Sequence, residues 1–460
     1  MVPAPVAALV NHEAGVERLV ASYRSTAASA PVRLAQPTLN VFHTRIKPTQ
    51  SGLDASGLTN VIWVDPDART ADVAGMCTYQ DLVAETLRYG LTPLVTPPLQ
   101  TVTLGAAVSS MAAGSASFRH GLPHESVLEM DILTGAGEVR TVSPNKNPDL
   151  YRMFPNSRGT LGYSTRLRIE LEAAAPFVLL RHVRFPALSE LIAAMDRIID
   201  TGGFDGHPVN YLDGVMFSET ESYLCIGMRT TTPGPVSDYT GQEIYYRSIQ
   251  HESGSKDDRL TMHDYLWRWD TDWFWRSQRY GAQSPRIRRW WPRRYRRSSV
   301  YQNMAALDQR FGITDRIEKR HGLPRQEWLT QDVQVPAERV GEFLQWLLKT
   351  VPLTPIWLCP LRLRSQESWP LIPIRPDRTY VNIGLRSAIP ADFRQGAARR
   401  LIERKASELD GHTSLHSESF SSREQFDEIY GGEAYRAVKK TYDPDARLLD
   451  LYTKTVQHQR

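Results

Sequence analysis

Residues Thr101–Val127 read TVTLGAAVSSMAAGSASFRHGLPHESV. Gly105, Ala106, Ala107, Ala112, Ala113 and Gly114 are small enough to let a ligand approach the backbone closely. Ser109, Ser110, Ser115 and Ser117, with free backbone N–H groups, can bind phosphate oxygens without a cation. The same composition suits a tightly packed Ala/Ser turn between helices, and the residue types alone leave both readings open. No charged residue occurs from Tyr89 to Phe118, a run with eight Ser/Thr and three Pro. Those polar groups would stand unpaired in lipid, so the run is expected to be a buried loop system that touches something polar, not a membrane span.

Working outward, VIWV at Val61–Val64 is a strand pattern, and DPDART makes a turn. YQDLVAETLRYG places Leu82, Val83 and Leu87 at helical spacing and ends on Gly90, a C-cap residue. Val16, Leu19, Val20 and Tyr23 mark an earlier helix. Downstream, EMDILTGAGEVRTV and TLGYSTRLRIELE alternate apolar residues as strands do. TGAGEV, Thr134–Val139, carries Arg140 where a dinucleotide fingerprint needs its third glycine, so it is expected to be a hairpin turn. From about Phe185 the composition shifts. The middle third holds most of the eleven tryptophans, and VQVPAERVGEFLQWLL, PIWLCPLRL and YVNIGL supply further strands and a helix. The pattern predicts an α+β chain with units at residues 1–184, 185–400 and 401–460.

A chain of 460 residues holds two or three domains, and a net charge of +4 says nothing for or against nucleic acid. Cys77, Cys225 and Cys359 are scattered and odd in number, which fits a reducing compartment and predicts neither disulfides nor a metal site. The first twenty residues lack a basic stretch followed by an apolar one, so no secretory signal is expected. A cytoplasmic location follows.

Three motifs carry a resemblance. Thr103-Leu104-Gly105-Ala106 matches the T-V-G-G that opens the pyrophosphate loop of flavoproteins of the p-cresol methylhydroxylase and vanillyl-alcohol oxidase (PCMH/VAO) type, and runs without a gap to His120-Gly121-Leu122. VDPDARTADVAGMCTYQDLVAETLRYGLTPLVTP is similar to the approach to that loop. Gly159, Thr160, Leu161 and Gly162 are similar to the G-T-L-G that closes its FAD subdomain. The resemblance implies a PCMH/VAO-type FAD-binding domain of two α+β subdomains, an α+β substrate or cap domain, and C-terminal helices completing the flavin site. It implies FAD contacts at Arg33, Thr38, Asn40, Thr103, Leu104, Gly105, Ala106, Ala107, Gly114, Ser115, Ser117, Gly121, Gly159, Thr160, Leu161 and Gly162. RLAQPTLN lacks the glycine-rich histidine pattern of covalent relatives, and His43 stands alone, so FAD is expected to be non-covalent.

PIWLCPLRL, VQVP after Gln331-Asp332, VNIG and SREQFDEIYGGEAYRAVKKTYDP resemble blocks of the delta(24)-sterol reductases, and of bacterial flavoproteins that reduce methylene-branched fatty acyl chains. LNVFHTR resembles another block of these relatives. What this implies is reduction of an isolated lipid C=C bond, with NADPH as co-substrate and a lipid methyltransferase as partner. The sterol enzymes' N-terminal membrane helix has no counterpart here, so membrane association is expected to be peripheral. Such a reduction needs a proton donor. Asp332, Glu418 and His120 are the candidates, each with a structural alternative, and Arg423 and Tyr430 fit packing equally well. A flavin-dependent oxidase or dehydrogenase of sugars or alcohols is the competing reading of the same fold. RIRRWWPRRYRR, Arg286–Arg297, interleaves seven arginines with Trp290, Trp291 and Tyr295. It reads as an anionic-membrane anchor, a solvated loop or a single-strand nucleic-acid surface. The lipid-reducing resemblance selects the membrane over nucleic acid.

Overall fold

The computed structural model describes residues 6–28, 30–35, 52–312, 316, 320, 326–390, 396–417 and 419–457. Two antiparallel sheets organise it. The first joins strands Val61–Asp65, Thr70–Ala74, Tyr163–Ala173, Val127–Leu133 and Val139–Val142 in that order, with Leu91–Pro93 paired to the long Tyr163–Ala173 strand. Leu133 pairs with Val139, so TGAGEV is the expected hairpin turn, with Gly137 at φ 80. The predicted helix is present as Tyr79–Leu87, capped by the Thr78 hydroxyl, and Gly90 follows at φ 66. The N-terminal helix Val6–Ser25 buries Leu19 and Tyr23.

The second sheet has eight strands, in the order Ser255–Thr261, Phe177–Phe185, Glu221–Thr230, Tyr211–Ser218, Ile356–Leu361, Tyr380–Leu385, Gln331–Pro336 and His412–Thr413. The chain passes from one sheet to the other between Ala173 and Phe177, some residues before the boundary expected at 184. The segment after residue 400 adds the edge strand His412–Thr413 to the second sheet. Its helices close on the first unit. Tyr435 donates to Thr160 Oγ1 (2.9 Å), and Lys439 and Lys454 donate to the carbonyls of Thr160 and Arg158.

Strand periodicity gives the second sheet two unlike faces. Val333, Val335, Leu358, Ile383, Leu212 and Leu224 share an apolar core with Leu191, Phe343, Leu344 and Ile402 from the helices Leu188–Thr201, Val340–Thr350 and Ala397–Glu408. The intervening residues face the other way, and they include Asp213, Trp357, Asp332, Gln334 and Asn382, all buried. Onto this polar face packs the tryptophan-rich segment. Trp269 stacks on Phe274 (5.2 Å), and Phe274 meets Trp357 edge-on (5.4 Å).

Candidate active site

Of the uncharged run Tyr89–Phe118, expected to be a buried loop system, no residue from Leu91 to Phe118 is exposed. Thr103 caps the short helix Leu104–Val108 through its hydroxyl, and the amides of Leu104 and Gly105 bond the carbonyls of Cys77 and Gly75. A Cβ on Gly105 would lie 2.5 Å from Ser164 Oγ and 2.7 Å from Gly75 O. Gly105 is therefore small because helix and strand touch there, not because a phosphate needs the room. One on Gly114 would meet the Thr96 carbonyl. The four serines singled out as phosphate contacts all have protein partners. Ser109 and Ser110 donate to Ala106 O, Ser115 Oγ pairs with Tyr265 OH (3.1 Å), and Ser117 Oγ accepts from Gly114 N (3.1 Å). Backbone amides are open to an anion as well. The amides of Met111, Ala112, Ala113 and Ser115 have no hydrogen-bond partner among the described residues. Buried Thr96 Oγ1 and Ser157 Oγ are likewise without partners there. An uncharged loop of small residues with open amides and hydroxyls fits a pyrophosphate group.

The closing segment packs beside this loop. Asn156 and Arg158 donate their amides to Val108 and Ser109 carbonyls, and Gly159 and Gly162 take φ 74 and φ 133. Leu161 is core, and Thr160 bridges to Tyr435. Arg33 accepts from Leu53 N at the edge of this region. Thr38 and Asn40, and with them His43, lie outside the described residues.

The loop also meets the polar face of the second sheet. Cys359 Sγ lies 3.2 Å from Gly114 O, and Leu212 N donates to Ser115 O. Here Asp213 accepts from Arg268 (2.7 Å) and from the indoles of Trp269 and Trp357. Further along, Asp332 accepts two bonds from Arg386 Nη2 (2.8 and 3.0 Å) and one from His416 Nε2 (3.0 Å). Burial alone would raise the Asp332 pKa. The Arg386 charge and the His416 bond outweigh it and hold the carboxyl below its ordinary range. Asp332 thus stands as an acceptor between Arg386 and His416. Burial lowers the His416 pKa, and the opposing pull of Asp332 does not restore it. The Arg158 charge adds to the lowering. Arg386 is 5% exposed, lies over the Phe274 ring (4.4 Å), and keeps Nη1 without a partner among the described residues.

The other two acid candidates fare differently. His120 Nε2 is 3.2 Å from Glu172 Oε2, inside a cluster with Arg119, Arg229 and Tyr211. Burial pushes Glu172 up, but bonds from His120 and Arg229 bring it down to about 2. The structure thus gives His120 a bridging position between the two sheets. Glu418 lies outside the described residues. Tyr430 is buried and donates to Thr413 O, and Arg423 pairs with Asp427 and Asp450. Arg386 and His416 were not found from sequence. One signal existed: QDVQVP alternates polar and apolar residues although the whole strand is buried, which marks a polar inner face.

Comparison with known proteins matches residues 8–143 to the FAD binding domain family. Delta(24)-sterol reductase of Mus musculus is 24% identical over 413 residues, covering 86% of this chain and 76% of that protein. The Arabidopsis thaliana delta(24)-sterol reductase is 22% identical over 443 residues, covering 88% and 76%. Cytokinin dehydrogenase 2 of Oryza sativa subsp. japonica is 32% identical over 158 residues, covering 33% of this chain and 28% of that protein. The chain thus carries a PCMH-type FAD-binding domain, is a homologue of the delta(24)-sterol reductases over most of its length, and is an FAD-dependent oxidoreductase.

Proposed function

From this FAD-binding homologue of sterol reductases, we propose an enzyme that reduces an isolated C=C bond of a lipid, a methylene-branched acyl chain or a sterol side chain, with NADPH as electron donor. The observation that carries the reading is coverage. The sterol reductase likeness spans 86% of the chain and so includes the second sheet, whereas the cytokinin dehydrogenase likeness spans a third. FAD held here, once reduced by two electrons from NADPH, would supply a hydride to one alkene carbon. The chain must deliver the proton to the other carbon and keep water out. Branching helps, because positive charge is least unfavourable at a tertiary carbon.

The Asp332–His416 pair suits the proton task. The carboxylate accepts the Nε2–H and so orients the ring, which is the group that would give the proton. Transfer from the imidazolium leaves a neutral ring that still donates Nε2–H to Asp332. Arg386 keeps Asp332 ionised, and the Trp269, Phe274 and Trp357 rings supply a dry wall. The open amides of Met111, Ala112, Ala113 and Ser115 would hold the pyrophosphate. No nicotinamide site is assigned, since TGAGEV is a hairpin turn.

The test is turnover. Purified protein given NADPH and liposomes of methylene-branched phospholipid, or a sterol with a side-chain double bond, is expected to form the saturated product. Oxygen-consuming turnover of polyols or alcohols, with no alkene reduced, would establish the oxidase or dehydrogenase reading instead.

A further inference from the structure

The arginine–aromatic segment separates in three dimensions into a buried half and an exposed half. Arg288 is buried, paired through Nη1 with Asp272 (2.7 Å) and donating to the carbonyls of Gln242 and Glu243. Arg296 is buried among the carbonyls of Gly241, Arg288 and Trp291. Trp291 stacks on buried Tyr301 (6.4 Å). These side chains are struts, and they fix the backbone of the rest. On that fixed backbone Trp290 is 83% exposed, and Ile287, three residues earlier on the helix Pro285–Trp290, is 44% exposed. Tyr295 is exposed beside them, and so are Arg286, Arg289, Arg293 and Arg294. The following helix, Ser298–Phe311, also exposes Leu307 and Phe311, with Arg310 over the Phe311 ring. Of the acidic groups, Asp238 pairs with Arg293 alone, so Arg286, Arg289 and Arg294 have no acidic partner among the described residues.

A tryptophan held out in water by a buried framework is an unfavourable exposure unless something covers it. Bare arginines around it demand an anionic cover, and the ring an apolar one. A bilayer with acidic headgroups offers both in layers, phosphates at the guanidinium level and acyl chains at the indole level. We propose that residues 285–311 dock the protein on an anionic membrane surface, with Trp290 and Ile287 as the inserted side chains. Arg288 ties this surface to Asp272, two residues from Phe274, whose ring lies under Arg386. The docked face is thereby coupled rigidly to the wall of the candidate site. Docking does not depend on the proposed reaction, so it can fail while that reading stands.

The flavin-loaded protein is co-sedimented with vesicles of phosphatidylcholine, and of phosphatidylcholine with phosphatidylglycerol, at low and high salt, and is also titrated with a single-stranded oligonucleotide. Binding is expected to the anionic vesicles, weakly to neutral ones, and more weakly still to the oligonucleotide. Arg286→Ser/Arg289→Ser/Arg294→Ser is expected to lower vesicle affinity on the order of a hundredfold at low salt. Trp290→Ser is expected to lower it about tenfold at either salt and to abolish quenching by brominated acyl chains. Both variants should keep wild-type flavin absorbance and melting temperature. Wild-type binding that ignores vesicle charge, triple-variant binding equal to wild type, or tighter binding to the oligonucleotide than to vesicles would overturn the proposal.

Discussion

At the scale of single residues, partners decided what each candidate could do. Asp332 stands in a strand whose pattern marks it as inward-facing, but Arg386 and His416 lie 54 and 84 residues away. No local spacing reports such contacts, so a residue legible as important was not legible as a carboxylate. Asp332→Asn leaves the Arg386 charge buried without its counterion, and a loss of about 3 kcal/mol is expected in urea unfolding. Because the folded Asp332 pKa is depressed, its contribution is present above the ordinary carboxylate range and is lost as pH falls through the folded pKa. The wild type should therefore lose stability on acidification more steeply than Asp332→Asn. His416→Gln keeps a side chain of similar reach without an ionisable proton. Alkene reduction is expected to fall about a hundredfold or more, with NADPH-driven flavin bleaching unchanged. Bleaching that slows in parallel would move His416 out of the proton-delivery role.

At the scale of elements, the form of the Thr101–Val127 loop was the most legible part of the chain, because its determinants are local. Small residues, the capping Thr103 and the absence of charge can all be read within thirty positions. The purpose of its glycines was not, since Gly105 is set by Gly75 and Ser164 across the sheet. Gly105→Ala is expected to push the Leu104–Val108 helix off that sheet, lowering both melting temperature and flavin content of the purified protein. Retained stability with lost flavin would instead mean that position 105 faces the cofactor. The arginine segment teaches the same lesson, as Arg288 and Arg296 look no different in sequence from Arg289 and Arg294. Between the sheets, Glu172 joins His120 and Arg119 of the loop side to Arg229 of the second sheet. Its pKa, near 2 in the fold, lies below the ordinary value of 4.5. The stabilisation is thus complete above about pH 4.5 and disappears as pH falls toward 2. Glu172→Gln should cost about 2 kcal/mol at neutral pH and flatten stability over that window, as read by thermal melts.

At the scale of the molecule, two unlike sheets enclose one candidate site. The change of composition near Phe185 foretold a second unit, yet the strand Phe177–Phe185 already belongs to it. Strand composition does not say which sheet a strand joins. The non-covalent expectation is checked by acid precipitation, which should leave yellow FAD in the supernatant; flavin in the pellet would mean a tether. The central claim is that this FAD enzyme gives electrons to an isolated lipid double bond. The most direct measurement is a single turnover without oxygen, in which the reduced protein is mixed with a methylene-branched acyl lipid, a sterol with a side-chain double bond, or buffer. The account predicts that one alkene restores the visible flavin absorbance and yields an equal amount of product heavier by two hydrogens, whereas buffer restores none. Flavin that stays reduced with every alkene, in a protein whose oxidised form is bleached by an alcohol or polyol, would contradict it.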